Sequence, residues 1–366
     1  MAIITGNKGE WSEIYVLLRL LADGKIFAAD EQLNRIENMF FPIIKILREE
    51  TLGKVFEYRT GSVVRVVLND ETLVEVPADV FDREAEKLLA EIKEQGGSGA
   101  FAIENTNAFM NKLYVNKLTA PSADKSDISV ELHDTNTGYE QVVGFSIKSK
   151  LGSPSTLLNA SGSTNFIFKV SNLNPALIPA INAISTKNKI KDRITAVIEN
   201  GGHISFCKME SQEFQNNLFM IDSQMPEIVA QMLLGYFGGH ASNCDELTKY
   251  ACEAIPMLGG KTFLYPDIMK MNFYTHKVKE LLCAAALGMK PATPWDGTDE
   301  ATGGYIIVKQ DGDVLAYHIY NRDAFRGYLL NNTKFESASS SRHGYGTLYE
   351  QSGGICIKLN LQIRFT

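Results

Sequence analysis

One acid, one serine and one lysine have the spacing of a site that cleaves phosphodiester bonds. Asp127 precedes the serine of Ser146-Ile147-Lys148 by 19 residues. Because side chains two positions apart on a β-strand point to the same face, Ser146 and Lys148 should lie side by side. Carboxylates commonly hold divalent metal in phosphodiester hydrolysis. A lysine can orient the attacking water and stabilise the charge that develops on the phosphate. We therefore interpret Asp127, Ser146 and Lys148 as candidate catalytic residues.

A predicted β-hairpin over residues 127–148 positions these three side chains. Apolar and polar residues alternate from 127 to 132, which is the period of a strand with one buried face. The segment DTNTG that follows predicts a turn, and residues 139–148 form the returning strand. The hairpin brings the end of its second strand back to Asp127.

Three glutamates are candidates for additional negative charge beside Asp127. Glu131 is predicted on the same strand and the same face as Asp127. Glu10 and Glu13 lie at the start of a predicted helix over residues 9–22, whose apolar residues recur every three or four positions. Carboxylates at this end of a helix interact favourably with the helix dipole, which explains the two glutamates without a functional site. The alternative is that one of them points into a site at the helix start, and both interpretations stay open.

A long stretch beginning just before Lys148 lacks acidic residues, although the whole chain carries a net charge of −7. None of the 51 residues from 141 to 191 is acidic, and six of them are lysines. Lysines and short neutral side chains contact phosphates and base edges without repulsion. A surface loop rich in turn formers, ending in a solvated helix end, would have the same composition. Residues 337–366 are similarly poor in acids, with Glu350 as the only one. The candidate DNA-binding residues are Lys150, Ser153, Thr156, Asn159, Ser161, Thr164, Asn165, Lys187, Lys189, Lys191, Arg342 and His343.

Length and composition describe an ordinary globular chain of one large or two smaller domains. Its 366 residues are 45% hydrophobic and 22% charged. We expect no membrane span, because no uncharged apolar stretch is long enough, and no signal peptide. The five cysteines form no CxxC pair, which favours reduced thiols and a cytoplasmic protein over a zinc site.

Helix and strand patterns alternate along the rest of the chain, which predicts a mixed α/β (α+β) fold. Predicted helices cover residues 31–50, 78–95, 175–188, 226–236, 244–258 and 274–287, and a helix followed by a strand covers 101–118. Predicted strands cover residues 56–76 with a break at Asn69-Asp70, 305–308, 314–320 and 354–365, and a loop covers 119–126. We divide the chain into residues 1–200, a core with the N-terminal helices and the catalytic hairpin, and residues 201–366. The second part would complete the fold and the recognition of DNA.

The arrangement of Asp127 and Ser146-Ile147-Lys148 resembles the PD-(D/E)xK nuclease core, with serine in the position of the second acid. Longer blocks are similar to the HpaII family of type II restriction endonucleases: NKGEWSEIY, GFSIKSKLGSPSTLLNASGSTNF, SRHGYG and KLNLQIRF. This resemblance covers nearly the whole chain. It implies a restriction-endonuclease-like mixed sheet flanked by helices, with additional DNA-recognition elements. It also implies Mg²⁺-dependent cleavage of double-stranded DNA within 5′-CCGG. The candidate metal ligands are then Asp127, Glu131, Glu10 and Glu13.

Two functions fit the sequence. The first is a site-specific endonuclease of a restriction-modification system, with Asp127 as a metal ligand, Ser146 as a weak ligand and Lys148 acting on water and phosphate. The second is a non-catalytic DNA-binding protein on a degenerate nuclease scaffold, which a serine in the second acid position would explain. A palindromic target favours a symmetric homodimer, although monomers can also cut the two strands in turn.

Overall fold

The structure is a computed structural model that describes residues 3–97, 99–119, 126–135, 138–255, 267–318, 321–351 and 353–366. Its helices are α1 (Lys8–Asp23), α2 (Ala78–Glu94), α3 (Glu104–Lys112), α4 (Ile178–Asn182), α5 (Lys189–Glu199), α6 (Gln212–Ile221), α7 (Met225–Gly238), α8 (Cys244–Ala254), α9 (Asp267–Leu287), α10 (Arg322–Asn331) and α11 (Ser340–His343). Its strands are β1 (Thr5–Gly6), β2 (Lys25–Ala29), β3 (Arg35–Thr51), β4 (Lys54–Arg59), β5 (Val63–Leu68), β6 (Glu71–Pro77), β7 (Phe101–Ala102), β8 (Ile128–His133), β9 (Glu140–Ser149), β10 (Thr156–Leu158), β11 (Asn165–Ser171), β12 (His203–Met209), β13 (Gly304–Val308), β14 (Val314–His318), β15 (Thr333–Phe335), β16 (Leu348–Gln351), β17 (Gly354–Asn360) and β18 (Ile363–Phe365). Most of the predicted loop 119–126, the end of the helix predicted to 258 and the end of the strand predicted to 320 lie outside the described residues.

The chain forms two compact units whose bounds differ from the division that we predicted at residue 200. Unit 1 comprises Met1–Ser155 and Asp299–Tyr328, and unit 2 comprises Thr156–Thr298 and Leu329–Thr366. Strands β13 and β14 join unit 1 because they run parallel to β9 and β2 and pair with them. Pairing between strands so far apart in the sequence has no local signal, so composition cannot locate it.

The sheet of unit 1 places the predicted hairpin near its middle. Among the described residues it has nine strands in the order β2-β14-β13-β9-β8-β3-β4-β5-β6. Strands β8 and β9 pair antiparallel, with Ile128 opposite Phe145, as the predicted hairpin requires. The break between β5 and β6 falls at Asn69-Asp70, where both residues have positive φ, as in the tight turns of hairpins.

Helix α1 covers one face of this sheet and confirms the first predicted helix. Its start is capped by the side chain of Asn7, and it ends at Gly24, whose φ of 61° suits a residue without a Cβ. Trp11, Ile14 and Leu17 are fully buried in the same core as the apolar residues of β8 and β9. The apolar stripe that predicted the helix is therefore also what holds its first turns against the hairpin strands.

Three predicted elements are wrong. Residues 31–50 are not a helix but mostly the long strand β3, which pairs with β8, β4 and β2. Pro42 lies within it, and a proline inside a helix removes a hydrogen bond and clashes with the preceding turn. The helix predicted over 175–188 is reduced to a 3₁₀ turn and the short α4. The lysine-rich residues 187–191 begin helix α5 and do not end a helix. Within 101–118 no strand follows α3.

Unit 2 combines helices α4 to α9 with two small sheets. Within the described residues, their strand orders are β12-β11-β17-β16 and β10-β18-β15. The helices α7, α8 and most of α9 confirm predicted helices, and β17 and β18 confirm the strand pattern at the end of the chain. The mixed α+β class is therefore confirmed. None of the described helices combines the length and the hydropathy that a membrane span requires.

Candidate active site

The hairpin of unit 1 joins Asp127, Ser146 and Lys148 in one row of hydrogen bonds. The backbone N–H of Asp127 donates to the carbonyl oxygen of Phe145 at 2.8 Å, which fixes Asp127 beside the returning strand. Its Oδ2 accepts from the N–H of Ile147 at 2.6 Å and from the hydroxyl of Ser146 at 3.1 Å. The ammonium of Lys148 donates to the same hydroxyl at 2.9 Å. The serine hydroxyl thus links the carboxylate to the lysine, in the position where a second acid would stand.

Glycine at position 144 allows the chain before Asp127 to approach β9 closely. A Cβ on Gly144 would lie 2.1 Å from the hydroxyl oxygen of Ser126. Any larger residue there would push Ser126 away and move the start of β8. The sequence pattern did not reveal this requirement, because it depends on two strands meeting.

The ammonium of Lys148 is held in a partly desolvated position. It lies 5.3 Å from the ring centre of Tyr305, which pairs with Ser146 across β13 and β9. Burial lowers the pKa of Lys148, and the nearby carboxylates of Asp127 and Glu13 oppose that change. An ammonium that is weakly hydrated interacts more strongly with an approaching phosphate.

Helix α1 places Glu13 at the same site and uses Glu10 differently. Oε2 of Glu10 accepts the backbone N–H of Asn7 at 2.7 Å and completes a capping box. Glu10 therefore caps the helix, as the first of the two interpretations proposed. Oε2 of Glu13 is buried and has no hydrogen-bond donor among the described residues. Burial and the carboxylate of Asp127 raise the pKa of Glu13 to about 8.

A hydroxyl contact joins α1 to the hairpin, and a buried ion pair on β3 lies near Glu13. The fully buried hydroxyl of Ser12 lies 2.7 Å from the hydroxyl of Ser149 on β9 and also donates to the carbonyl of Lys8. Behind the site, Arg48 and Glu50 form a buried ion pair with Nε and Oε1 2.8 Å apart. The positive charge of Arg48 lowers the pKa of Glu13, against the larger effect of burial. Sequence reasoning missed these residues, because their burial beside the site depends on the packing of α1 and β3 on the hairpin.

The ends of α1 and of the hairpin strands line a cleft of about 390 Å³ in unit 1. Lys148, Asp127 and Glu13 are joined there by Glu10, Lys8 and Ser153. Ser153 was predicted to bind DNA, and Lys8 was not singled out. The described residues contain no group of three or more His, Cys, Asp or Glu side chains placed to hold a metal ion. The acids available here without another structural role are Glu13 and Asp127.

Glu131 does not belong to this cleft. Its carboxylate forms an ion pair with Lys45 at 3.2 Å, and Lys45 also pairs with Glu57 at 3.1 Å. The prediction placed Glu131 correctly on β8, but β3 brings a lysine directly opposite it. The structure therefore corrects Glu131 from a candidate metal ligand to part of a cross-strand ion-pair cluster.

The polar strip after Lys148 divides into exposed and buried residues. The ammonium of Lys150 lies 5.8 Å from the ring centre of Tyr328, and burial lowers its pKa. Thr156 is half-buried in β10, and Asn159 is exposed. The hydroxyl of Ser161 accepts the N–H of Ser163 and caps a short 3₁₀ turn.

Thr164 and Asn165 are corrections to the predicted DNA contacts. Thr164 is fully buried, and Asn165 is only 2% exposed. The side-chain amide of Asn165 donates to Glu210 at 2.8 Å and to the carbonyl of His343 at 2.9 Å. Asn360 donates to Oδ1 of Asn165 at 2.7 Å. The amides of Asn165 and Asn360 are therefore bonded to each other inside unit 2, and their polarity belongs to a buried network and not to a DNA-binding surface.

The remaining predicted DNA contacts lie in unit 2. Lys187, Lys189 and Lys191 line a second cleft. Arg342 is exposed and His343 half-buried on the short helix α11. No ion pair of Arg342 or of these lysines occurs among the described residues.

Similarity to known proteins extends over the whole chain. The model of the HpaII restriction endonuclease family matches residues 7–365. The chain belongs to this family. It is 43% identical over 366 residues to the type II restriction enzyme HpaII of Haemophilus parainfluenzae, covering 99% of this chain and 98% of that enzyme. No solved structure matches the chain. The protein is thus a type II restriction endonuclease of the HpaII family, and the non-catalytic alternative loses its support.

Proposed function

We propose that this HpaII-family endonuclease cleaves double-stranded DNA within 5′-CCGG, and that its reaction depends on Mg²⁺. The observation that carries the proposal is the row formed by Asp127, Ser146 and Lys148. Asp127 and Lys148, the two ends of this row, line one cleft together with Glu13. The target is the one that the family resemblance implies. The identity to HpaII along the whole chain supports it.

The acids of the cleft fit Mg²⁺. This ion is usually bound by one or two carboxylates together with water and substrate phosphate, so a cluster of three protein ligands is not required. Asp127 and Glu13 supply two carboxyl groups, and the buried Oε2 of Glu13 has no donor within the described residues. Because its pKa is raised to about 8, Glu13 would release a proton when it binds the ion. These two residues would hold the ion, which neutralises charge on the phosphate and lowers the pKa of bound water.

Lys148 acts on the substrate directly. Its ammonium stands at the cleft surface and stabilises the negative charge that develops on the phosphate as water adds to phosphorus. The hydroxyl of Ser146 keeps Lys148 and Asp127 at a fixed separation, since it bonds both. Lys8, the first residue of α1, adds a second positive charge to the same cleft.

Cutting of supercoiled plasmid tests these roles. With Mg²⁺, the wild-type protein should give the fragments of a CCGG digest, and EDTA should stop the reaction. Asp127→Ala, Glu13→Gln and Lys148→Ala should each abolish cutting while leaving DNA binding measurable. Ser146→Ala should slow cutting by about 10- to 100-fold, the usual effect of losing a group that orients a metal ligand.

Glu131→Gln is the matched control, because it removes one carboxylate from the same hairpin outside the cleft. It should cut at the wild-type rate. Wild-type activity in Asp127→Ala or Glu13→Gln would refute the assignment of the metal ligands. Absence of discrete fragments with every divalent metal tested would refute the proposed reaction.

We also propose that the enzyme acts as a homodimer in the cytoplasm. A palindromic target presents two equivalent half-sites, which a symmetric dimer can contact at once. None of the five cysteines forms a disulfide; one is exposed and four are buried, as expected for a reducing compartment. Sedimentation of the protein with a cognate duplex in Ca²⁺ should show two chains for each duplex, and one chain for each duplex would contradict the dimer.

A further inference from the structure

Unit 2 contains a second cleft, of about 460 Å³, that the cleavage chemistry does not use. Segments far apart in the sequence form it: residues 187–191 around the start of α5, Tyr236 near the end of α7, and residues 336–340 before and at the start of α11. The sequence had marked the first and last of these segments separately as acid-poor. The fold brings them to one concave surface.

The cleft has an excess of positive charge. Lys187 and Lys191 are exposed and Lys189 is half-buried, and none of the three forms an ion pair among the described residues. Glu336 also lines the cleft, but its carboxylate is held by Arg364 at 2.8 Å. The lysine charges are therefore largely unbalanced by the protein.

The position of the lysines indicates a role outside folding. They surround the first turn of α5, and cations are unfavourable at this end of a helix because its exposed N–H groups are already positive. The carboxylate that would suit this end, Asp192, accepts a hydrogen bond from the hydroxyl of Thr186. Lys187 and Lys189 oppose the dipole of α5, and an anionic ligand would offset that cost. The ammonium of Lys191 instead lies against Gly239, the C-cap of α7, where a cation is favourable.

Neutral donors complete the surface opposite the lysines. The hydroxyls of Tyr236 and Ser337 lie 3.2 Å apart and are exposed. The ring of Tyr236 is fixed against Phe237 and Phe335, with ring centres 4.9 and 6.1 Å away. Ser340 lines the same cleft. Hydroxyl groups of this kind donate to phosphate oxygens and position a backbone without reading its sequence.

We propose that this second cleft binds the phosphodiester backbone of duplex DNA, independently of metal. Lys187, Lys189 and Lys191 contribute the charge, and Tyr236, Ser337 and Ser340 donate hydrogen bonds. The inference rests on the proposed function, since it takes DNA as the substrate. It adds that unit 2 has a binding site of its own, separate in composition from the acid-containing cleft of unit 1.

The test measures binding of a labelled CCGG duplex and of a scrambled duplex in EDTA over a series of salt concentrations. The variant Lys189→Gln/Lys191→Gln is compared with Lys87→Gln/Lys249→Gln, which removes the same charge from lysines already paired with acids. Each lost phosphate contact lowers the slope of log affinity against log salt by about one. The test variant should therefore lower it by about two on both duplexes, and the control should leave it unchanged.

A second variant probes the neutral side of the cleft. Tyr236→Phe removes a hydroxyl and keeps the ring packing, so affinity should fall several-fold without a change in salt slope. Thermal melts of every variant check that it is folded. Equal slopes for the test pair and the control pair would overturn the inference.

Plasmid cutting by the wild-type protein separates this inference from the proposed function. If the wild type cuts with Mg²⁺ while the lysine variants keep the wild-type slope, only the second cleft loses its assignment. If the wild type fails to cut with any divalent metal but the slope still falls by about two, the cleft binds DNA and the cleavage proposal fails.

Discussion

His318 should make the stability of unit 1 depend on pH. It lies on β14 and is 1% exposed, with its ring centre 4.8 Å from that of Phe41 and 5.9 Å from that of Phe145 on the catalytic hairpin. Burial lowers the pKa of His318 from 6.5 to about 4, and the carboxylate of Asp134 opposes this only in part. The folded protein therefore keeps this imidazole neutral under conditions in which the unfolded chain protonates it.

The sign and the size of the effect follow from these pKa values. Above pH 6.5 the ring is neutral in both states and contributes no pH dependence. Below it, the unfolded chain binds a proton that the folded chain does not, so the free energy of unfolding falls as the pH falls. Each pKa unit corresponds to about 1.4 kcal/mol. The loss should reach about 2 kcal/mol near pH 5 and about 3 kcal/mol near pH 4.

Urea unfolding of the wild type and of His318→Gln at about pH 7.5 and about pH 5 measures this contribution. Acidic groups titrate in both proteins, so the difference between their two losses isolates His318. The variant should be less stable at the higher pH, where it loses ring packing, and should lose about 2 kcal/mol less than the wild type on acidification. Equal losses in the two proteins would refute the reasoning.

Three further substitutions test buried polar contacts within the two units. Ser12→Ala breaks the hydroxyl contact between α1 and β9 and should slow single-turnover cutting with only about 1 kcal/mol of lost stability; an unchanged cutting rate would contradict it. Asn360→Ala should lower the urea midpoint by the equivalent of about 1–3 kcal/mol, because it leaves buried amide partners unsatisfied, and an unchanged midpoint would show that the network is dispensable. Arg48→Met leaves Glu50 buried without its cation and should cost about 3–5 kcal/mol in thermal or urea unfolding. Arg48→Met/Glu50→Leu should recover only part of this loss, because it also removes the bonds from Asn116 N–H to Glu50 and from Arg48 to the carbonyl of Lys117; no recovery at all would contradict this account of the pair.

The sequence predicted elements well where their signal is local. The apolar stripe of α1 and the alternation in β8 each arise within one segment, because a helix or a strand repeats over a few residues. The same reasoning failed for residues 31–50, which form most of β3. There, pairing with strands on both sides decides the conformation, and the isoleucines and Pro42 were the local evidence against a helix.

The row of Asp127, Ser146 and Lys148 was predictable because a hairpin is a local structure. Its two strands are joined by one turn, so the register follows from the alternation of side chains. Which glutamate accompanies the row was not predictable. Glu10 and Glu13 are three residues apart on one helix and both line the cleft. Only the tertiary structure shows that Glu10 is engaged in the helix cap while Oε2 of Glu13 has no donor among the described residues.

For the acid-free stretch as well, the sequence determined the composition and the tertiary structure determined which residues are exposed. Its composition by itself distinguished a cationic, hydroxyl-rich segment from the rest of an acidic chain. It could not distinguish Thr164 and Asn165, buried in a network of amides, from Lys189 at the rim of a cleft. Residue type determines what chemistry a side chain can perform. Segments distant in the sequence bury a side chain and supply its hydrogen-bond partners. Only the tertiary structure therefore decides whether that side chain packs in the core or can contact the substrate.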